Sequence, residues 1–363
     1  MRTLPGFDLL RLIAASAVVF SHAFLIADLN EDSEPFFKLT GQVIGVAGVY
    51  VFFVLSGFLI SESAHRSKNL GKFAIRRAAR ILPAFLLCNF LVVLISGAFF
   101  AKNGALQFFS DLDTWKHLLR VFLFQDTGLY YNDIEFYPPQ QSNNWLPHIA
   151  NGVLWTIRLE ITCYLFVALF SIILGIEGIF LAAVASLAVG ILYFFSQSYE
   201  VFWSSRYASD VLFVAPSFAA GILLNSFFRE RQANGLMAAL SSILLVCIFV
   251  TCDKWADNAN YIFPFLIAYP VLWVGQQNRA IFTQYSRWGD PSYGIYLWGW
   301  PVTQILRGVD GPDWSGYSLT AIALPLTIAL GYASWHYIEA PSLRFAKHYL
   351  GRSGTIVARP EAG

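Results

Sequence analysis

Charge is what this sequence has least of. Asp, Glu, Lys and Arg make up 13% of 363 residues, against about 25% in a typical soluble domain. A chain of this length can bury a large core, but it has too few polar side chains to cover one with a hydrated surface, which argues against a soluble enzyme. The net charge of +1 carries no argument about nucleic acid, because in a membrane protein the placement of charge outweighs its sum; no nucleic-acid partner is expected. Cysteine is scarce as well. Cys88, Cys163, Cys247 and Cys252 each sit in or beside an apolar run, with no C-x-x-C pair and no Cys/His cluster of metal-ligand spacing. They read as packing residues, and no metal is expected. Repeats, low-complexity tracts and composition shifts are also missing. Residues 1–350 therefore read as one membrane domain, with 351–363 as a flexible cytoplasmic tail.

What is abundant is apolar. Hydrophobic residues reach 56% and aromatic residues 17%, gathered into runs of about 20 residues, the length that crosses a bilayer as a helix. Spans are expected at 9–27, 41–60, 81–100, 154–174, 178–195, 211–228, 236–252, 260–275, 291–306 and 317–338. The fold class is thus all-α, a polytopic bundle of about ten transmembrane helices; the runs do not alternate as barrel strands do. The first run carries Asp8, Arg11 and His22 and is longer than a signal-peptide core, so it is expected to be retained. Lys and Arg in the connections favour the side of the N-terminus by about two to one, which places both termini in the cytoplasm. One outer connection is long: residues 101–153, with Trp115, Tyr130, Tyr131, Tyr137, Pro138, Pro139 and Trp145. Its aromatic content argues against disorder. It reads equally as an interfacial aromatic belt or an acceptor-binding surface, with an amphipathic piece near 106–124 lying on the membrane.

Ionisable groups inside a bilayer cost about 2.5 kcal/mol or more each on the insertion scale, so those present are informative. Arg11 and His22 stand roughly 16.5 Å apart along a helix axis and roughly 20° apart around it, on one face. His22 lies roughly 7.5 Å in from the outer end of its span, and Glu160 roughly 9 Å in from the outer end of span four, near Arg158. His22 and Glu160 are therefore expected to share a depth. A carboxylate beside an imidazole raises its basicity, as a general base requires; the plainer reading is a structural polar pair between helices. The stretch Phe73-Ala74-Ile75-Arg76-Arg77-Ala78-Ala79-Arg80 runs into span three and puts Arg77 and Arg80 on one face near a helix N-terminus. Arginine forks suit phosphate oxygens. Anchoring by positive charge explains Lys68 and Lys72 as well, but not why Arg11 lies at the same level. A ligand with phosphates at Arg11, Arg77 and Arg80 and an extended arm would bring its far end to His22. A coenzyme A thioester has that shape; another phosphate-bearing ligand fits the spacing equally.

Several stretches resemble one family, the acyltransferase type 3 membrane proteins, which O-acylate bacterial surface and exported polysaccharides. Phe7-Asp8-Leu9-Leu10-Arg11-Leu12 with Val19-Phe20-Ser21-His22 resembles its first-span motif, and Gly48 through Ile60 its second. Arg77-Ala78-Ala79-Arg80-Ile81-Leu82-Pro83-Ala84 resembles its R-x-x-R turn, and Leu154-Trp155-Thr156-Ile157-Arg158-Leu159-Glu160 its fourth-span motif. Ser292-Tyr293-Gly294-Ile295-Tyr296-Leu297-Trp298 and Tyr337-Ile338-Glu339-Ala340-Pro341 resemble the late motifs. The resemblance implies ten core helices in the bacterial inner membrane and transfer from cytoplasmic acyl-CoA, most commonly acetyl-CoA. His22 would be catalytic, Arg11, Arg77 and Arg80 would serve the donor, and Glu160 would support catalysis or acceptor binding. Trp155, Arg158 and Trp145 are candidates for binding the acceptor, a polysaccharide or lipid-linked saccharide. Two positions depart: an acidic residue common in the second-span motif is Tyr50 here, and a histidine common after Tyr-Leu-Trp is Gly299. The forms Leu-Trp-Thr and Trp-Gly-Trp-Pro are most similar to members that modify exopolysaccharide or O-antigen sugars. A transporter or flippase is the rival reading, since intramembrane His and Glu serve proton relays and Pro216, Pro264, Pro270 and Pro301 interrupt spans.

Overall fold

In lipid a backbone must satisfy its own N–H and C=O groups, and the apolar runs do so as helices. The structure, a computed structural model, describes residues 4–66, 70–139, 145–196, 206–251, 263–310 and 314–352. In chain order the helices are α1 (Pro5–Asp28), α2 (Pro35–Thr40), α3 (Ile44–Arg66), α4 (Leu70–Phe100), α5 (Ala105–Ser110), α6 (Leu112–Phe122), α7 (Leu154–Ser196), α8 (Arg206–Phe228), α9 (Gly235–Thr251), α10 (Phe263–Gln276), α11 (Ala280–Ser286), α12 (Ser292–Asp310), α13 (Gly316–Ser334) and α14 (Ala340–Arg352). A π-helical turn, Trp335–Glu339, joins the last two. Two short strands, β1 (Leu129–Tyr130) and β2 (Ile149–Asn151), pair antiparallel. Of the expected tail 351–363, the first two residues close α14 and the rest lies outside the described residues, as does Cys252.

Within the described residues each expected span overlaps a helix. Among the described residues six stretches are long and apolar enough to cross a membrane: Gly6–Asp28, Ile44–Ser63, Gly71–Phe100, Leu154–Leu174, Asp210–Phe228 and Gly316–Leu350. Gly178–Ala188, Gly235–Ile248 and Phe263–Gln276 are shorter apolar helices. Spans four and five merge into α7, but this helix does not run straight. A Cβ on Gly178 would lie 2.2 Å from the Phe170 carbonyl oxygen, whereas eight residues of straight helix separate two positions by about 12 Å. The chain therefore doubles back near Gly178. Prolines do not break the bundle: α8, α10 and α12 continue through Pro216, Pro270 and Pro301. Pro264 sits at the start of α10, where a missing N–H costs nothing.

α1 is the hub, packed against α3, α10, α11, α12 and α13. The closest helix crossing is between α3 and α8. A Cβ on Gly57 would stand 2.1 Å from the Phe218 oxygen, and one on Gly221 would stand 2.1 Å from the Val54 oxygen. Reciprocal small residues let two backbones touch, which is how membrane helices gain packing without a hydrophobic drive between them.

The described parts of the connection, 101–139 and 145–153, are folded, with Leu129, Ile134 and Leu146 fully buried. The expected surface helix at 106–124 is instead the pair α5 and α6, split at Asp111, whose side chain accepts from the Asp113 N–H at 2.9 Å. The pair runs antiparallel back along α4: Phe108 against Gly97, Trp115 with Phe90, then Phe122 and Phe124 with Phe85. Leu118 and Val121 are buried, while Leu112, Leu119 and Leu123 on the same helix or at its end remain exposed. The return stretch then hooks onto α12. Trp300 Nε1 donates to the Ile149 carbonyl at 3.1 Å, and Gln304 Nε2 donates to those of Leu146 and Ile149. Asn151 Nδ2 donates to Asn89 Oδ1 at 3.1 Å and to the Leu297 carbonyl at 3.3 Å. Substituting Gly221 by Leu is expected to separate α3 from α8 at a cost of about 1–3 kcal/mol or more. It should lower the melting temperature and monodisperse yield in size-exclusion chromatography of solubilised protein.

Candidate active site

Three helices converge on one carboxylate. Asp290, just before α12, accepts from Arg11 Nη1 of α1 at 3.1 Å and from Arg80 Nη2 of α4 at 2.6 Å through the same oxygen, Oδ2. Its Oδ1 accepts from the Ser292 N–H and hydroxyl, at 3.3 and 2.5 Å. Burial alone would raise the Asp290 pKa; the Arg80 and Arg11 charges and the Ser292 bonds outweigh it and hold the carboxyl below its ordinary value. Arg80 Nη1 donates to Glu339 Oε2 at 3.0 Å, from a fully buried glutamate that the π-helical turn presents. The Arg80 guanidinium also lies over the Trp335 ring at 5.1 Å. Arg11 Nη1 pairs with Asp8 at 3.2 Å, and Asp8 is held by the Ser286 hydroxyl. Arg77 stands apart, its guanidinium 5.7 Å from the Phe73 ring centre and 5.5 Å from that of Tyr164.

The three arginines line one cavity together with Ser56, Thr156, Glu160, Tyr164, Tyr293 and Tyr296. This convergence is the one expected of Arg11, Arg77 and Arg80. Glu160 joins them, and here the expectation of a His22–Glu160 pair fails. The Glu160 carboxylate accepts from the Tyr164 hydroxyl and from Ser56 Oγ at 3.3 Å, with no contact to His22. The reason lies in the preceding segment. β2 carries the chain inward until Asn151 bonds Asn89 and Leu297, so α7 begins well inside the bundle. Glu160 then falls about 9 Å further on, at the level of the arginines.

His22 sits further along α1, facing Trp300 edge to face at 4.9 Å and 74°. Its Nδ1 is buried without a hydrogen-bond partner among the described residues. Trp300 is held from behind: a Cβ on Gly152 would come within 2.9 Å of its ring. The residue beside His22, Ser21, donates to Glu34 Oε1 at 2.7 Å and accepts from the Gly45 N–H at 2.7 Å. Glu34 also accepts from the Ile44 N–H at 3.0 Å. Burial raises the Glu34 pKa more than these bonds lower it.

The three acceptor candidates do not line the cavity. Trp155 packs toward Phe213 at 6.5 Å. Arg158 Nη1 donates to the Gln125 carbonyl at 3.3 Å, tying α7 to the connecting unit. Trp145 is 45% exposed at the start of the return stretch. The two departures from the family motifs have steric accounts. Tyr50 fills a buried aromatic cluster with Phe213 and Phe263, and a side chain at Gly299 would strike Val19 at 2.6 Å. Sequence reasoning missed Asp290, Trp300 and Glu34, and gave Glu339 no role. Asp290-Pro291-Ser292 is a helix-start signature, the one signal that could have pointed to Asp290. Among the described residues no three His, Cys, Asp or Glu side chains converge as metal ligands.

A family profile described as an acyltransferase domain matches residues 4–336. The chain belongs to this acyltransferase family. It is 26% identical over 365 residues to an O-acetyl transferase of Shigella phage Sf6, covering 96% of each chain. It is 27% identical over 374 residues to nodulation protein 10 of Rhizobium leguminosarum bv. viciae, covering 96% of this chain and 95% of the relative. No solved structure matches. In this chain α1 and α4 are joined through Asp290 by an arginine–carboxylate layer, and His22 stands further along α1.

Because the folded-state pKa of Glu34 is raised, its contribution to stability is fully present below the unfolded carboxyl pKa and is lost as pH rises through the folded value. A melting profile from pH 4 to pH 8 should therefore fall more steeply for wild type than for Glu34→Gln.

Proposed function

We propose that this acyltransferase transfers an acyl group, most simply acetyl, from cytoplasmic acyl-CoA to a hydroxyl of a surface or exported polysaccharide sugar, or of its lipid-linked precursor. The observation that carries the reading is the layout of α1. Arg11 lines the arginine cavity, and His22 stands on the same unbroken helix roughly 16.5 Å further along. The donor's phosphates belong at the arginine end, with the thioester reaching toward His22. The Lys and Arg bias supports an arginine end on the cytoplasmic side and the connection 101–153 outside, and this reading sets the protein in a bacterial inner membrane. The similarity to the phage O-acetyl transferase supports acetyl as the group and oxygen as its destination.

In this reaction the His22 imidazole takes the proton of the sugar hydroxyl as its oxygen attacks the thioester carbonyl. A carbon–oxygen bond forms and the carbon–sulfur bond breaks. The proton passes from the imidazole to the departing thiolate, which leaves toward the arginines. Glu160 is too far along α7 to orient His22; it belongs to the donor cavity. Trp300 against the imidazole is the group that fixes the ring. A covalent acetyl-histidine relay is the variant route. A transporter gains nothing from the helices that run unbroken through their prolines.

The test is transfer of radiolabelled acetyl from acetyl-CoA to saccharide in isolated membranes. His22→Ala should lower transfer by about 10²–10⁴-fold, the usual worth of a general base. Activity at wild-type level in both His22→Ala and Arg11→Ala would overturn the assignment. Label stable on His22 without acceptor would select the relay. Trp300→Ala should lower kcat while leaving the acetyl-CoA KM within about twofold, the pattern of a lost transition-state geometry.

A further inference from the structure

The arginine layer contains more carboxylate than an anion-binding site needs. Arg80 spends both terminal nitrogens, Nη1 on Glu339 and Nη2 on Asp290. Arg11 spends Nη1 on Asp8 and Asp290 together. Arg77 lines the same cavity, yet among the described residues its contacts are aromatic faces, Phe73 and Tyr164, and no carboxylate. An arginine already paired on both forks has little left for a phosphate, whereas a guanidinium held between rings keeps its full fork.

Asp290 is not a plug waiting to be displaced. Its second oxygen is fixed by the Ser292 N–H and hydroxyl at the start of α12, so the carboxylate belongs to that helix and the arginines are drawn to it. We propose that Asp290 is a positioning residue: with Glu339 it turns Arg80 into part of the frame that joins α1, α4 and α12, so that Arg77, not Arg80, takes the phosphate of an anionic ligand in this cavity. The proposal rests on the reading of the cavity as the donor site, and it divides roles within the R-x-x-R pair.

Detergent-solubilised full-length protein is titrated with coenzyme A and, separately, with pyrophosphate, and melting is recorded without ligand. Arg77→Gln should weaken coenzyme A binding at least tenfold and leave ligand-free melting within about a degree of wild type. Arg80→Gln and Asp290→Asn should each lower ligand-free melting. Their double variant should melt no lower than the worse single one, because both break one frame. Asp290→Glu should recover part of the loss. Wild-type coenzyme A affinity in Arg77→Gln overturns the proposal, as does loss of affinity in Arg80→Gln with unchanged melting. Pyrophosphate binding with the same order of variants but no coenzyme A binding would sink the donor reading and leave the division of roles standing. Binding of neither probe by wild type overturns both.

Discussion

A carboxylate shared between two guanidinium groups holds the arginine end of this protein together. Charges taken out of water cost several kcal/mol each, recovered only where geometry is good and every remaining lone pair has a partner. Asp290 meets that condition: two arginines on one oxygen, an N–H and a hydroxyl on the other. The pairing ties α1, α4 and α12 at one level, and Glu339 extends the tie to the turn before α14. Without Asp290, Arg80 would keep only Glu339 and Arg11 only Asp8, and the tie between α1, α4 and α12 would be lost. The positions of the cavity, of Glu160 beside it and of His22 beyond it are all measured from this layer.

The site has two levels on one helix. At the lower level, charge and aromatic rings surround a cavity suited to an anion. At the upper level, polar groups are few: an imidazole, an indole pressed against it, and a serine tied to a buried glutamate. The upper level is built by the returning stretch of the connection 101–153, whose carbonyls accept from Trp300 and Gln304. The segment that reads as a long outer connection is therefore part of the wall behind His22.

Much of this was legible in sequence. Apolar runs located the helices, because hydropathy reports the solvent directly. Arg11, Arg77 and Arg80 were placed at one level by counting from span ends, and the cavity contains all three. The same count failed for Glu160, because α7 starts inside the bundle and its offset is set by Asn151, a tertiary contact invisible to local spacing. Asp290 was missed for a related reason. Its partners lie 279 and 210 residues away in the chain, and an isolated Asp before Pro reads as a helix start. The fold-back at Gly178 has the opposite character: hydropathy reads two separate apolar runs, and the chain turns back between them inside α7.

The unbroken course of α1 from Pro5 to Asp28 has a consequence for how this chain can change. One residue gained or lost between Arg11 and His22 would shift the histidine by about 1.5 Å and swing it by about 100°. The axial error is small and a flexible ligand arm could absorb it. The angular error is not absorbable, since it turns the imidazole away from Trp300 and toward a neighbouring helix. The interval is therefore closed to insertion and deletion even where any single side chain within it is free to vary, and the register of one helix acts as a reading frame for the chemistry.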